Sequence, residues 1–242
     1  EGRLARFLNG SAASARELEG KRAAIQTLIS DISHQTKTPI ANILLYASLL
    51  AEGELSPEQA AQAATLSRQA EKLSFLIQAL VKASRLETGI LALHPQPGEI
   101  SPVVERAATQ YAARAGEKGI TLTVGQKEGS AVFDLKWTEE AVCNLLDNAV
   151  KYTPPGGTVT VEVKNYELFS AIRVTDTGPG ISEEEQAKIF GRFYRAPGAW
   201  QAEGVGIGLY LTRQIAEKQG GYVKVESALG KGSVFSLFLP RP

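Results

Sequence analysis

Three stretches of this sequence carry residue types and spacings suited to chemistry. The first is Asp31-Ile32-Ser33-His34-Gln35-Thr36-Lys37-Thr38-Pro39. A neutral imidazole is a nucleophile, and with an ordinary pKa of about 6.5 most of it is neutral at pH 7. Thr38, one helical turn beyond His34, falls on the same face, where its hydroxyl can hold a water or a phosphate oxygen beside the ring. Pro39 deletes a helical hydrogen bond and predicts a kink that an ordinary scaffold helix has no reason to carry. A lone exposed histidine is most often a solvated surface residue, and it is this setting that singles His34 out.

The second stretch is Asn144-Leu145-Leu146-Asp147-Asn148-Ala149-Val150-Lys151-Tyr152. Helical spacing puts Val142, Leu145, Leu146 and Ala149 on one face and Asn144, Asp147, Asn148 and Lys151 on the other. Amide oxygens one turn apart suit Mg²⁺, a hard cation that keeps waters and phosphates around it, and Lys151 would neutralise phosphate charge. The third is Asp176-Thr177-Gly178-Pro179-Gly180-Ile181, followed by a long irregular stretch to Gly204-Val205-Gly206-Ile207-Gly208-Leu209. The second glycine cluster opens a helix, so free backbone N–H groups there would face an anion. Seven of the 23 glycines fall between 178 and 208, a density that suits a mobile lid. Asp176 ends a strand rich in β-branched residues, where a carboxylate can accept a hydrogen bond from an amino group.

Two kinds of element must position these groups. On a wheel of 100° per residue, Ile29, Ile32, Ile40, Ile43, Ala47 and Leu50 all fall within about 60° of the Ile25 direction, with His34 opposite them. Gly53 ends this long amphipathic helix, and Ser56-Pro57-Glu58-Gln59 restarts one that runs to about Glu87. Its apolar positions Leu66, Ala70, Leu73, Ile77 and Leu80 step by four and three, a coiled-coil-like seam. Two such helices form an antiparallel hairpin too thin to bury both seams, so a dimeric four-helix bundle is expected. Prolines and glycines from Thr88 to Ile100 read as an inter-domain connection. Beyond it come a helix capped by Ser101, strands at 120–124 and 131–133, and a helix at 136–150. Strands at 158–163 and 171–175, a helix at 208–218 and strands at 222–227 and 233–239 complete the pattern. Adjacent strands without intervening helices predict an α+β sandwich with a mixed sheet.

Composition narrows the function classes. The hydrophobic share of 43% and charged share of 21% are those of a globular protein. Basic and acidic residues balance at 26 each, and the halves up to and beyond residue 90 stand at +1 and −1. A general positive field for nucleic acid is therefore absent, and any anion must be held by a few placed groups. One cysteine, Cys143, excludes an intramolecular disulfide and is expected to pack in a core. The longest apolar run, 39–51, is shorter than the roughly 20 residues a bilayer needs. The lack of methionine and the start at Glu1 read as a piece of a longer protein. His94 and Trp200 are expected to serve only surface and lid packing.

Taken in order, Ser33-His34…Thr38-Pro39, Asn144…Asn148-Ala149…Lys151-Tyr152, Asp176…Gly178…Gly180, Phe190…Phe193-Tyr194-Arg195 and Gly204…Gly206…Gly208-Leu209 resemble the motif set of two-component sensor histidine kinases. The resemblance covers about Ala24 to Leu239. It implies a hairpin for dimerisation and histidine phosphotransfer joined to an α/β sandwich ATPase domain of the Bergerat type, shared with gyrase and Hsp90. The expected division is 1–20 as the end of a signal-transmitting helix, 21–90 as the hairpin, 91–100 as linker and 101–242 as the catalytic ATP-binding domain. His34 would be the phosphorylated residue, with Gln35 and Thr38 beside it. Asn148 would be the main Mg²⁺ ligand and Asn144, Lys151 and Tyr152 nucleotide neighbours. Asp176 would hold the adenine amino group, Gly178, Gly180 and Ile181 would shape its pocket, and Ser233 would lie near the adenine. Gly204, Gly206, Gly208 and Leu209 would border the phosphates, with Arg195 near the γ-phosphate.

The family usually has an acidic residue after the histidine, where this chain has Gln35. An amide is no general base, but its carbonyl can accept from Nδ1–H and leave Nε2 as the nucleophile. The implied function is ATP-dependent autophosphorylation of His34, transfer to an aspartate of a response-regulator receiver domain, and phosphatase activity toward that regulator. The implied setting is the cytoplasmic portion of a bacterial membrane receptor, attached through segments outside this chain. A weakly active or non-catalytic dimeric scaffold is the alternative, and Gln35 is the feature that favours it. A gyrase-like or chaperone-like ATPase fits less well. It needs a water-activating carboxylate on the nucleotide helix, where Asn144 stands, and Glu140 is one turn earlier.

Overall fold

The computed structural model describes residues 20, 27, 31–32, 35–53, 55–88, 92–196 and 205–242. It divides into two compact units, Glu1–Leu91 and Ala92–Pro242.

The first unit is a helical hairpin. Helix α1 is described through residues 35–51 and continues past Pro39, whose missing N–H leaves the Gln35 carbonyl without its usual donor. Helix α2 spans Pro57–Glu87. Its start is written in four residues: the Ser56 hydroxyl accepts from the Gln59 N–H at 3.2 Å, and the Gln59 side chain accepts from the Ser56 N–H at 2.9 Å. Buried positions on the hairpin are mostly small: Ala47, Ala63, Ala70 and Ala83, with Ile40, Val81 and Leu86. Apart from the buried Ile40 and half-buried Ile77, the described large side chains of the expected seams stay out. Leu66, Leu73 and Leu80 on α2, and Ile43 and Leu50 on α1, are between 38% and 55% exposed.

The second unit is a sandwich. Its main sheet has the order β2-β4-β5-β7-β6, built from β2 (Thr121–Val124), β4 (Thr158–Asn165), β5 (Phe169–Asp176), β7 (Ser233–Pro240) and β6 (Tyr222–Ser227). Only β2 and β4 pair in parallel, so the sheet is mixed as expected. On one face the alternating residues Val159, Val161, Val163, Ile172, Val174, Phe235, Leu237 and Leu239 are buried. Helices α3 (Ser101–Glu117), α4 (Leu135–Tyr152) and α6 (Gly208–Lys218) form the other layer, with α4 packed between α3 and α6. The opposite face of the sheet carries the Arg173–Glu162 pair at 3.1 Å and a ring cluster in which Tyr222 stacks on Phe238 at 4.4 Å.

Three local expectations are corrected. Residues 96–99, read as linker, form strand β1 (Gln96–Glu99), antiparallel to β3 (Ser130–Phe133). A two-stranded ribbon has only edges, so Pro97 and Gly98 are tolerated. Ser101 is the first residue of α3 and not its cap; Ile100, wholly buried, stands at the cap position and the end is fixed by packing. The stretch between Ile181 and Gly204, read as irregular, contains a short helix α5 (Glu183–Gln186).

Helix α4 carries the whole of the second motif, and its placement is over-determined. Asp134 caps it by accepting from the Trp137 N–H at 3.1 Å, and its other oxygen takes the His94 N–H at 2.9 Å. Along its side, α3 offers a polar ladder with a constant offset of 33 residues. The rungs are Arg106 to Glu139 at 2.8 Å, Cys143 to Gln110 at 3.3 Å, Arg114 to Asp147, and Lys118 Nζ to the Lys151 carbonyl at 2.5 Å. A constant offset means parallel helices with matched turns. Lys118 also donates to the Val150 carbonyl at 2.9 Å, so one ammonium caps two open carbonyls at the end of α4.

Candidate functional site

Helix α4 is half-buried along Asn144, Asn148, Lys151 and Tyr152. Of the four polar residues that helical spacing put on one face, the structure separates Asp147, which is drawn to Arg114 of α3. Asn144 points the other way: its amide lies against Gly208, where an added Cβ would stand 3.5 Å from Asn144 Oδ1. The Asn144 Nδ2 is buried and has no protein partner. A buried amide without a partner costs free energy, and such a group marks a place where a ligand completes the bonding. Lys151 holds its ammonium 4.7 Å from the Tyr152 ring centre, which orients the charge.

Cys143 is half-buried on the α3 side, not in the core, and burial pushes its thiol up to about 11. It is no nucleophile at neutral pH.

The first glycine cluster is held as a rigid platform. Asp176 ends β5, 6% exposed, and its Oδ1 accepts from the Gly178 N–H at 2.8 Å. Burial raises its pKa, while the N–H groups of Gly178 and Ser233 lower it. Gly180 has φ of 73°, and a Cβ there would collide with the Ala228 carbonyl, so the tight approach requires glycine. The Ile181 N–H donates to Ser227 Oγ at 2.8 Å, and Gln186 Nε2 ties the Ile181 and Ser227 carbonyls together at 3.1 and 2.9 Å. A cavity of about 250 Å³ opens beside this platform, with Asp176, Ser227, Lys231 and Ser233 in its lining.

The second cluster begins α6. Ile207 stands at the cap position and has no side chain that can cap, so the first N–H groups of an 11-residue helix are left for another acceptor. Gly206, with φ of 76°, lets the backbone pass the Tyr194 carbonyl where a Cβ would clash. Around it, the Tyr194 hydroxyl donates to Glu185, and Arg192 lies 5.0 Å from the Tyr210 ring centre. Phe193 sits at a φ of 58°, unusual for a bulky side chain.

The structure thus brings Asn144 together with Gly208, and Asp176 with Gly178, Gly180, Ile181 and Ser233. Arg195 and Leu209 are half-buried on their own segments, and Gln35 and Thr38 are exposed on α1. His34, Gly204 and Trp200 lie outside the described residues. Sequence reasoning missed Ser227, Gln186, Arg114 and Lys118. The signal for Ser227 was its parity on β6, which puts it on the same sheet face as Ser233; nothing local marked the other three.

For a bound cation, the group that fits lies on α4. Asn148 offers a half-buried amide oxygen to a metal that takes its remaining ligands from phosphate and water, while the orphaned Nδ2 of Asn144, a hydrogen-bond donor, suits an acceptor oxygen of the phosphates and not the cation.

Comparisons with known proteins agree with this arrangement. Residues 133–242 match the family described as histidine kinase-, DNA gyrase B- and HSP90-like ATPase, and residues 24–89 match the His Kinase A phospho-acceptor domain. The chain is 33% identical to the sensor protein kinase PmrB of Pseudomonas aeruginosa, over 93% of this chain and 48% of that protein. It is 28% identical to the sensor protein SrrB of Staphylococcus aureus, over 88% and 38%. Among solved structures, full-length ShkA in complex with AMPPNP superposes with a TM-score of 0.74 at 27% identity, covering 88% of this chain and 45% of that one. The mycobacterial sensor histidine kinase MprB superposes at 0.53 and 30% identity, covering 62% and 99%. The chain spans no more than about half the length of the curated relatives it matches.

Proposed function

The chain belongs to the sensor histidine kinases, and from that premise we propose that it transfers the γ-phosphoryl group of ATP to His34, and from there to an aspartate of a response-regulator receiver domain. One observation carries the nucleotide half of this reading. The orphaned amide of Asn144 abuts the uncapped N-terminus of α6, in the same unit as the buried acceptor Asp176. Phosphates would take the α6 N–H groups and Lys151, with Gly204 and Gly206 at their border and Arg195 near the γ-phosphate; adenine would take Asp176, with Ser233 beside it. Mg²⁺, held by Asn148 when bound, supplies neutralisation of phosphate charge. Phosphoryl transfer asks the protein chiefly for positioning and charge, which these groups provide.

At the hairpin, the Gln35 carbonyl would accept from His34 Nδ1–H and leave Nε2 to attack in line. The displaced oxygen leaves as ADP, and the Nε2 proton is lost to solvent because no carboxylate follows the histidine. Thr38 would orient water for the reverse activity, dephosphorylation of the regulator. The exposed seams of Leu66, Leu73 and Leu80 support a homodimer in which a second hairpin covers them. Leu45 and Leu49, 54% and 52% exposed and within about a quarter turn of His34 by helical spacing, suit the docking of the regulator. Among the described residues no helix is long and apolar enough to cross a membrane.

The test is direct. Purified chain with labelled ATP and Mg²⁺ gains an acid-labile, base-stable phosphoryl group, and His34→Gln does not. Label retained by His34→Gln overturns the assignment. A dimer that binds ATP but takes no label supports the scaffold reading that Gln35 favours.

A further inference from the structure

The ends of β5, β7 and β6 bring Asp176, Ser233 and Ser227 side by side in register on the helix-covered face of the sheet. Ser227 is a fully committed hydroxyl. Its oxygen accepts the Ile181 N–H at 2.8 Å. Its single proton goes to the Gly232 carbonyl at 2.8 Å, an atom that can only accept. The remaining contact, 2.9 Å to Ser233 Oγ, can therefore be made in one direction only: Ser233 donates and Ser227 accepts. Ser233 has no second proton. It is 5% exposed, so its unused lone pairs stay beside the equally acceptor-only carboxylate of Asp176, which already receives the N–H groups of Gly178 and Ser233.

We propose that Ser227 is a specificity-determining positioning residue: by fixing the polarity of the Ser233 hydroxyl, it makes this end of the site a pair of acceptors that takes a 6-aminopurine and rejects a 6-oxopurine. This rests on the reading above that Asp176 and Ser233 face the purine. An exocyclic amino group brings two donors to two acceptors. A 6-oxo group brings lone pairs to lone pairs, and buried groups left unpaired in this way are what gives a polar site its discrimination. Freed from Ser227, the Ser233 hydroxyl can turn and donate to an oxo group, so the pocket becomes tolerant while its shape is kept.

The experiment is calorimetric titration of the full chain with ADP and with inosine diphosphate. The wild type prefers ADP. Ser227→Ala lowers the ADP-to-IDP affinity ratio by about fivefold, the scale of one neutral hydrogen bond, and Ser227→Thr, which keeps the hydroxyl, restores it. In a Ser233→Ala background the change at Ser227 leaves the ratio where it is. Ser227→Cys, a weak donor of similar volume, carries the same expectation if alanine prevents folding. Equal weakening of both nucleotides by Ser227→Ala, with the ratio unchanged, makes Ser227 a structural support only and overturns the proposal. A wild type that binds neither nucleotide overturns the adenine reading itself, a result distinguishable from the first.

Discussion

The two units solve the burial problem in opposite ways. The sandwich closes on itself: Leu145, Leu146, Ile172, Ile215, Leu237 and Leu239 are all under 2% exposed within one chain. The hairpin does the reverse. It lets its two helices approach through alanines and leaves leucines of both seams in solvent. Small residues inside and large ones outside is the pattern of a unit whose core is completed by another surface. One unit therefore completes its own core, and the other leaves the apolar surface that the proposed dimer would cover.

Breaking the assembly gives the largest expected effect. Leu66→Glu with Leu73→Glu puts two charges per chain on the seam, and desolvating them in a bundle costs several kcal/mol each. Sedimentation should show a monomer, and autophosphorylation should fall by more than about 100-fold, the rate equivalent of under 3 kcal/mol. ATP affinity, a property of the sandwich, should stay within about twofold. Retained dimerisation would mean the exposed seams face something else.

The converse change acts on the platform. Leu145→Ala deletes a fully buried side chain of α4 and should cost about 2–5 kcal/mol. Calorimetry should then show the sandwich melting earlier while sedimentation still reports a dimer. A simultaneous loss of both would show that the units do not fold independently.

How much of this was legible beforehand differs between the units in the same physical terms. The start of α2 was readable because Ser56, Pro57 and Gln59 act within one turn. The span of α6 was readable because glycines end where its apolar period begins. Strand β1 was not, because Pro97 and Gly98 are local breakers and only pairing with β3, some 33 residues away, makes them a strand. The face of α4 was half-legible: periodicity separated polar from apolar, yet only the neighbours decide that Asp147 belongs to α3 and Asn144 to α6. Ser227 was half-legible too: strand parity put it on the face of Ser233, but its bond from the Ile181 N–H, 46 residues away, was not readable.

The ladder between α3 and α4 offers a finer test of the platform. Its ion pairs are about half exposed and each is worth no more than about 1 kcal/mol, so they set register more than stability. Lys118→Ala uncaps the Val150 and Lys151 carbonyls and should lower the melting temperature by about 2–4 °C. It should also raise the Kd for ATP about threefold by loosening Lys151 and Tyr152, and Lys118→Arg should recover most of both. An unchanged Kd with the lowered melting point would confine Lys118 to structure. On the hairpin, Gln35→Glu supplies the missing proton acceptor and should speed autophosphorylation several-fold. A slower variant would show that the amide's orientation of the ring matters more than basicity.

The smallest effect separates the units by pH. Burial, the main influence on Asp176, raises its pKa, so the folded sandwich holds that proton more tightly than the unfolded chain. The sign follows: whatever stability this contributes is complete below the ordinary carboxylate range and is lost as pH rises through the raised value. Ionising Asp176 above that range therefore costs stability, consistent with its retention for a ligand and not for the fold. Asp176→Asn removes the titration. The melting temperature of the nucleotide-free variant should gain on the wild type as pH rises from about 4 to 7, while binding of ADP is lost. A gain that shrinks with rising pH would mean that the N–H groups of Gly178 and Ser233, rather than burial, dominate the carboxylate, and that the site is built to stabilise the charge even when empty.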